Sequence, residues 1–183
     1  MNNYSREPSA IAAGAVRAAQ AQVGQEEQPR GSNKGPMVNE YLHAVGLGAG
    51  YAWCQAFVYW CYETAAKELH EEQPMIRTAG VYDCWSRTGK AKNATAVRME
   101  KTDMISNETV PLPGDQLILL YGRGKGHTAI IESATPTGNI NDPWLLQTIE
   151  SNSNANGSRE GYAVVRRTRK MSEAAVRGII RYS

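Results

Sequence analysis

Apolar residues at Ile11, Ala15, Val16, Ala19 and Val23 recur at helical spacing, and Gly24 follows as a stop. The pattern predicts a first helix over 8–23. The next stretch, QEEQPRGSNKGP, is polar and rich in Gly and Pro, the composition of a loop. A short helix is expected over 36–45, with Val38, Tyr41, Leu42 and Val45 turned inward and GLGAG ending it. The strongest helical signal runs over 52–69, where Phe57, Val58, Cys61, Ala65 and Leu69 line one face without interruption by Gly or Pro. A weaker helix is expected over 78–88, closed by Gly89.

From Pro113 onward the apolar segments become short and are separated by turn residues: QLILLY, HTAIIES, WLLQTIE, GYAVVRR and RGIIRY. Five strands are predicted. Helices in the first half and strands in the second imply an α+β fold with a largely antiparallel sheet. No repeat, low-complexity tail or long linker divides the chain, so one domain is expected over 8–183, with 1–7 a flexible N-terminal segment.

Composition narrows the range of functions. With 183 residues, 42% of them hydrophobic, the chain can bury one substantial core. One Phe stands against nine Tyr and four Trp, aromatics whose polar tips suit the edge of a core or the wall of a groove. Twenty basic and eighteen acidic residues leave a formal charge of +2, with no basic and aromatic track for nucleic acid. No apolar run is long enough to span a bilayer and MNNYSREPS has no signal pattern, so synthesis in the cytoplasm, with no membrane partner, is expected. Three Cys under those conditions are expected to be reduced thiols. The Asn-X-Ser/Thr matches at Asn93, Asn107 and Asn156 then carry no weight.

Chemistry concentrates at Cys54. A thiol in the first turn of a helix meets unpaired backbone N–H groups and the positive end of the macrodipole, both of which favour thiolate. Cys61, two turns on, and Cys84, midway along the weaker helix, read as small buried hydrophobes. Acyl transfer by a thiol needs a base. His43 in the short helix and His70 in ELHEEQ read as ordinary helix residues, whereas His127 follows the Gly-rich turn GRGKG and enters the strand TAIIE. A third group must orient the imidazole, and Glu150 and Asn152 in IESNSN are the candidates. Glu132 is nearer in sequence, but in a regular strand over 127–132 it would face away from His127.

These pieces together resemble a known family. WCQAFV resembles the nucleophile helix of CHAP domains, the cysteine, histidine-dependent amidohydrolase/peptidase group of the NlpC-type papain-like superfamily. PLPGD at 111–115 resembles their Pro-Gly-Asp turn, GHTAII their Gly-His strand, and IESNSN their Glu-Gly-Asn segment, with Ser151 where many relatives have Gly. The resemblance runs in order from about Ala21 to Tyr182. It implies a papain-like fold and thiolate attack on an amide carbonyl, usually in bacterial peptidoglycan. Position by position, it makes Cys54 the nucleophile, His127 the base, Glu150 the orienting carboxylate and Asn152 a possible fourth member, with no cofactor. The oxyanion would meet the Cys54 N–H and a second donor, for which Tyr51 and Gln55 are the nearest choices. Trp53, Trp85 and Tyr82 are candidates for a groove wall, with the core edge as the competing place for each.

Other readings use the same residues. Zinc held by Cys54, Cys61, Cys84 and His127 is disfavoured because residues seven apart on a helix are separated by ~10 Å. A non-catalytic wall-binding module would not need a complete Cys, His and Glu set. A papain-like deamidase or acyltransferase acting on a protein would need the same set, its loops alone differing. Within the wall-hydrolase reading, an antibacterial effector with a cognate immunity protein and a phage lysin both fit, each reaching the periplasmic wall by delivery or membrane permeabilisation.

Overall fold

Ser9 starts the first helix. Its hydroxyl accepts from the Ala12 N–H (3.2 Å) and donates to the Tyr182 carbonyl (2.8 Å), so one side chain caps α1 (Ala10–Ala21) and ties it to the end of the chain. The computed structural model describes residues 7–89, 94–106, 108–154 and 161–183. The N-terminal stretch 1–6 lies outside them, as do Asn93, Asn107 and Asn156.

Three more helices follow close to their expected places. They are α2 (Pro36–Ala44), with Pro in its first turn, α3 (Cys54–Leu69), ended by His70 in a left-handed conformation, and α4 (Val81–Arg87). The sheet comprises β1 (Ala96–Glu100), β2 (Gln116–Gly122), β3 (Lys125–Pro136), β4 (Trp144–Ser153), β5 (Ala163–Lys170) and β6 (Val176–Tyr182). Its order is β1-β6-β2-β3-β4-β5, with every neighbouring pair antiparallel. The α+β architecture matches expectation, but among the described residues the strands number six rather than five. The addition is β1, which lies at the edge of the sheet beside β6 and leads into a one-turn helix, α5 (Lys101–Ile105). Its AVRME segment alternates too briefly to separate from a loop by pattern.

The sheet is buried on both faces. Ile118, Ile130, Ile149, Val164 and Ile180 pack against α1 and α3, while Leu117, Leu119, Ala129, Ile131, Leu146 and Ile179 form a second core with Met104 of α5. This is why QLILLY is an unbroken apolar run rather than an alternating one. Each of these side chains other than Ala129 stabilises the fold by roughly 1.5–3 kcal/mol through burial.

Two turns set the frame around the site. In the PLPGD segment Gly114 takes a φ of +90° and approaches α1 so closely that a Cβ would lie 2.6 Å from that of Ala12, which makes glycine necessary twice over. The carboxylate of Asp115 accepts from the Leu112 N–H (2.8 Å) and pairs with Arg181 of β6 (2.6 Å). Along β3, the register with β4 shifts by one between Ile131 and Ser133, leaving Glu132 as the extra residue of a bulge.

Candidate active site

Cys54 is the first residue of α3. Trp53 at the cap makes no side-chain capping bond, and the first intrahelical bond is from Phe57 N–H to the Trp53 carbonyl (2.9 Å). The N–H groups of Cys54, Gln55 and Ala56 therefore precede the helical ladder, as an anion-accepting helix start requires. Of the three cysteines, Cys54 alone keeps some exposure, 8%, against 0% for Cys61 and Cys84. Burial pushes the Cys61 and Cys84 thiols up from their ordinary values, so both are held neutral in the core, as the sequence predicted.

His127 lies near the start of β3, opposite Leu119 of β2. The preceding Gly126 leaves room for α4: a Cβ there would stand 3.0 Å from the Val81 side chain. The His127 Nε2 is 2.9 Å from Glu150 Oε2, and the Cys54 thiol is near enough to the same ring to raise its pKa. With Nε2 engaged by the carboxylate, Nδ1 is the nitrogen left for sulfur. Burial disfavours the imidazolium, but Cys54 and Glu150 outweigh it and raise the His127 pKa to about 9.

Glu150 is fully buried in β4, and its carboxylate is saturated with donors. Oε1 accepts from Thr148 Oγ1 (2.9 Å) and Arg169 Nε (2.7 Å), and Oε2 accepts from Arg169 Nη2 (2.9 Å) besides meeting His127. Burial alone would raise its pKa, yet the Arg169 fork and His127 hold it well below the usual carboxylate range. Arg169, from β5, is in turn pushed further up by Glu150, and its Nη1 binds Glu173 Oε2 at 3.0 Å.

Glu132 has a different task. Its carboxylate accepts from Gln20 of α1 (2.8 Å) and from Arg166 of β5 (2.9 and 3.0 Å), so it faces away from His127. Asn152 sits at the β4–β5 irregularity with a φ of +50°. It is half-buried, and among the described residues no hydrogen bond joins it to His127.

Of the residues weighed for the groove or the oxyanion site, three have their side chains in the core, the competing place for Trp53 and Trp85. Trp53 is 0% exposed because its ring stacks on Tyr41 and its Nε1 donates to the buried Glu27 (2.9 Å). The Gln55 side chain, also 0% exposed, is held inside by Gln116 and Met75, leaving only its backbone N–H at the helix start. Trp85 packs over Gly178 and under the Arg98 guanidinium. Tyr51 and Tyr82 remain exposed.

The pattern of the sequence missed four participants. Arg169 and Thr148 surround Glu150, as described. Tyr121, an exposed residue late in β2, lies within electrostatic reach of Arg169, Glu150, Glu173 and Cys54, so it borders the site. Gln116 is the centre of a buried polar network behind it.

The searches of curated proteins and of solved structures returned no match. Comparison with protein-family profiles did: the CHAP domain matches residues 46–152, more than half of the chain, from just before the helix of Cys54 to just past Glu150. The chain belongs to the CHAP domain family, whose members are in general peptidoglycan-related amidases or peptidases.

Proposed function

We propose that this protein hydrolyses an amide bond of bacterial peptidoglycan, as a stem-peptide endopeptidase or an N-acetylmuramoyl-L-alanine amidase. The observation that carries the reading is His127, which meets Glu150 Oε2 at 2.9 Å and whose pKa is raised by the neighbouring Cys54 thiol as well as by Glu150. The Cys54 thiolate attacks the carbonyl carbon, and the oxyanion is received by the unpaired N–H groups at the start of α3. The His127 imidazolium gives its proton to the departing amine as the C–N bond breaks. Neutral His127 then takes a proton from water, whose oxygen attacks the acyl carbon and releases the carboxylate and the thiolate. Glu150 orients the ring throughout.

On this reading the protein is an antibacterial effector or a lysin, reaches the periplasmic wall by delivery or membrane permeabilisation, and as an effector has an immunity protein as partner. The test is digestion of purified peptidoglycan with mass spectrometry of the soluble fragments. New stem-peptide or lactyl-alanine ends, absent with Cys54→Ala, are expected. An undigested wall in the presence of a rapidly alkylated Cys54 would overturn the substrate and keep the nucleophile.

A further inference from the structure

Arg169 touches Glu150 with two nitrogens and Glu173 with the third, so three of its five N–H donors are engaged by carboxylates of the protein itself. Its side chain is 12% exposed and that of Glu150 is 0% exposed, which places the pair in a medium where charges act strongly. Glu150 Oε2 is shared: Arg169 Nη2 and His127 Nε2 each stand 2.9 Å from it. The two cations are thus no further apart than two hydrogen bonds, with one carboxylate between them. Glu173, Arg169, Glu150, His127 and Cys54 form a row in which charge can alternate from the turn after β5 to the thiol.

A lone buried carboxylate against an imidazole would bind its proton firmly. That would suit formation of the ion pair with Cys54, yet it would slow both later steps, since His127 must release the proton to the amine and then stay neutral long enough to take another from water. A guanidinium on the same carboxylate repels the imidazolium and draws off part of the carboxylate's hold. The fork geometry also fixes both oxygens, so the attenuation costs no orientation.

We propose that Arg169 is a positioning residue that lowers the proton affinity of His127 by sharing the Glu150 carboxylate, and that Glu173 sets how much it does so. The inference rests on the assignment of His127 as the base. Among the described residues, the titratable and charged groups facing this row are Cys54 from α3, Tyr121 from β2, His127 from β3, Glu150 from β4, Arg169 from β5, Glu173 after it and Lys101 from α5, whose Nζ donates to the Glu173 carbonyl (2.8 Å).

The test is NMR titration of the His127 ring in the full chain, without substrate, for the unmodified protein, Arg169→Met and Glu173→Gln. Removing the guanidinium should raise the His127 midpoint by roughly one unit or more. Glu173→Gln keeps an acceptor for the Lys170 N–H, now 2.9 Å from Glu173 Oε1, but frees Arg169 from its outer anion, so the midpoint should fall. Where hydrolysis is followed, the acidic limb of the acyl-enzyme hydrolysis rate should move with each midpoint. A midpoint that stays put or falls in a folded Arg169→Met protein would overturn the proposal. If that variant does not fold, an unmoved midpoint in Glu173→Gln would do the same. Because the titration needs no substrate, shifted midpoints in a protein that leaves peptidoglycan intact would uphold Arg169 and overturn the function proposed above.

Discussion

Gln55 and Thr128 are joined through a single side chain: the Gln116 Nε2 donates to Gln55 Oε1 at 2.8 Å and to Thr128 Oγ1 at 2.9 Å. One is the chain neighbour of Cys54 and the other of His127, so the helix and the strand that carry the proposed pair are bolted together from behind. All three polar residues are 0% exposed, and Tyr182 closes the network by donating to Gln116 Oε1 at 2.6 Å. Gln116→Leu should therefore cost about 2–4 kcal/mol in urea unfolding, from several buried groups left without partners. At temperatures where the variant is fully folded, kcat should fall while KM changes little. An unchanged kcat would mean that the spacing of Cys54 and His127 is set elsewhere.

Cys54→Ala should abolish wall hydrolysis and leave the melting temperature almost unchanged, because the thiol sits at a helix start and, unlike those of Cys61 and Cys84, keeps some contact with solvent. Cys61→Ala should behave oppositely, losing about 1 kcal/mol of stability while retaining activity, since it removes a fully buried sulfur. Iodoacetamide labelling read by intact mass should modify Cys54 first. Fast labelling of Cys61 or Cys84 in the folded protein would contradict their burial.

Glu150→Gln should lower kcat by about 10²–10⁴-fold, the scale for losing the group that fixes a catalytic histidine tautomer. It should also destabilise the protein by roughly 3 kcal/mol by leaving Arg169 without its buried anion. Glu132→Gln should be mild in both respects, as its ion pair with Arg166 has one partner 52% exposed and contributes about 1 kcal/mol or less. A dead Glu132→Gln beside an active Glu150→Gln in the same kinetic comparison would reverse the assignment.

The raised pKa of His127 makes stability depend on pH in a defined direction. The fold favours the imidazolium, so its contribution is complete below the unfolded value of about 6.5 and is lost as pH rises through about 9. Glu150 acts in the other direction: its lowered pKa contributes stability above the unfolded value of about 4.3, lost progressively on acidification. Melting temperature should therefore peak between these windows and fall by several degrees between pH 7 and pH 9.5. His127→Gln should flatten the alkaline side. A wild-type curve that keeps rising through pH 9.5 would show that another group dominates there.

The parts legible in the sequence are those governed by local periodicity. Phe57, Val58, Cys61 and Ala65 define α3 and hence the place of Cys54, and alternation separates Glu132 from His127. Arg169 was illegible for a physical reason. In AVVRRTRK, alternation puts Arg167 and Arg169 on one side and Arg166, Thr168 and Lys170 on the other, but which arginine meets Glu150 depends on a register shifted by the irregularity between Glu150 and Ser153. The places of Trp53 and Gln55 are illegible for a similar reason. Nearness to Cys54 makes Gln55 a candidate oxyanion donor and leaves Trp53 between groove and core edge, whereas their partners, Glu27 and Gln116, are remote in sequence and hold both side chains inside.

The strand that carries Arg169 lies at an edge of the sheet. Among the described residues β5 pairs with β4 on one side, and on the other the 24–26 segment covers its first two residues through the Glu26–Ala163 bridge and backbone bonds of Gly24 and Gln25 to Val164 (both 2.9 Å), while Arg166, Thr168 and Lys170 further along are exposed to solvent. Those charges discourage a second chain from adding to the edge. They leave the strand as a seam that frays at lower free energy than the central β2 and β3. Peeling it away withdraws the guanidinium while Cys54 and His127 stay on intact elements. Warming should then silence turnover reversibly a few degrees below global melting, and faster hydrogen exchange across 163–170 should report the moment the seam opens.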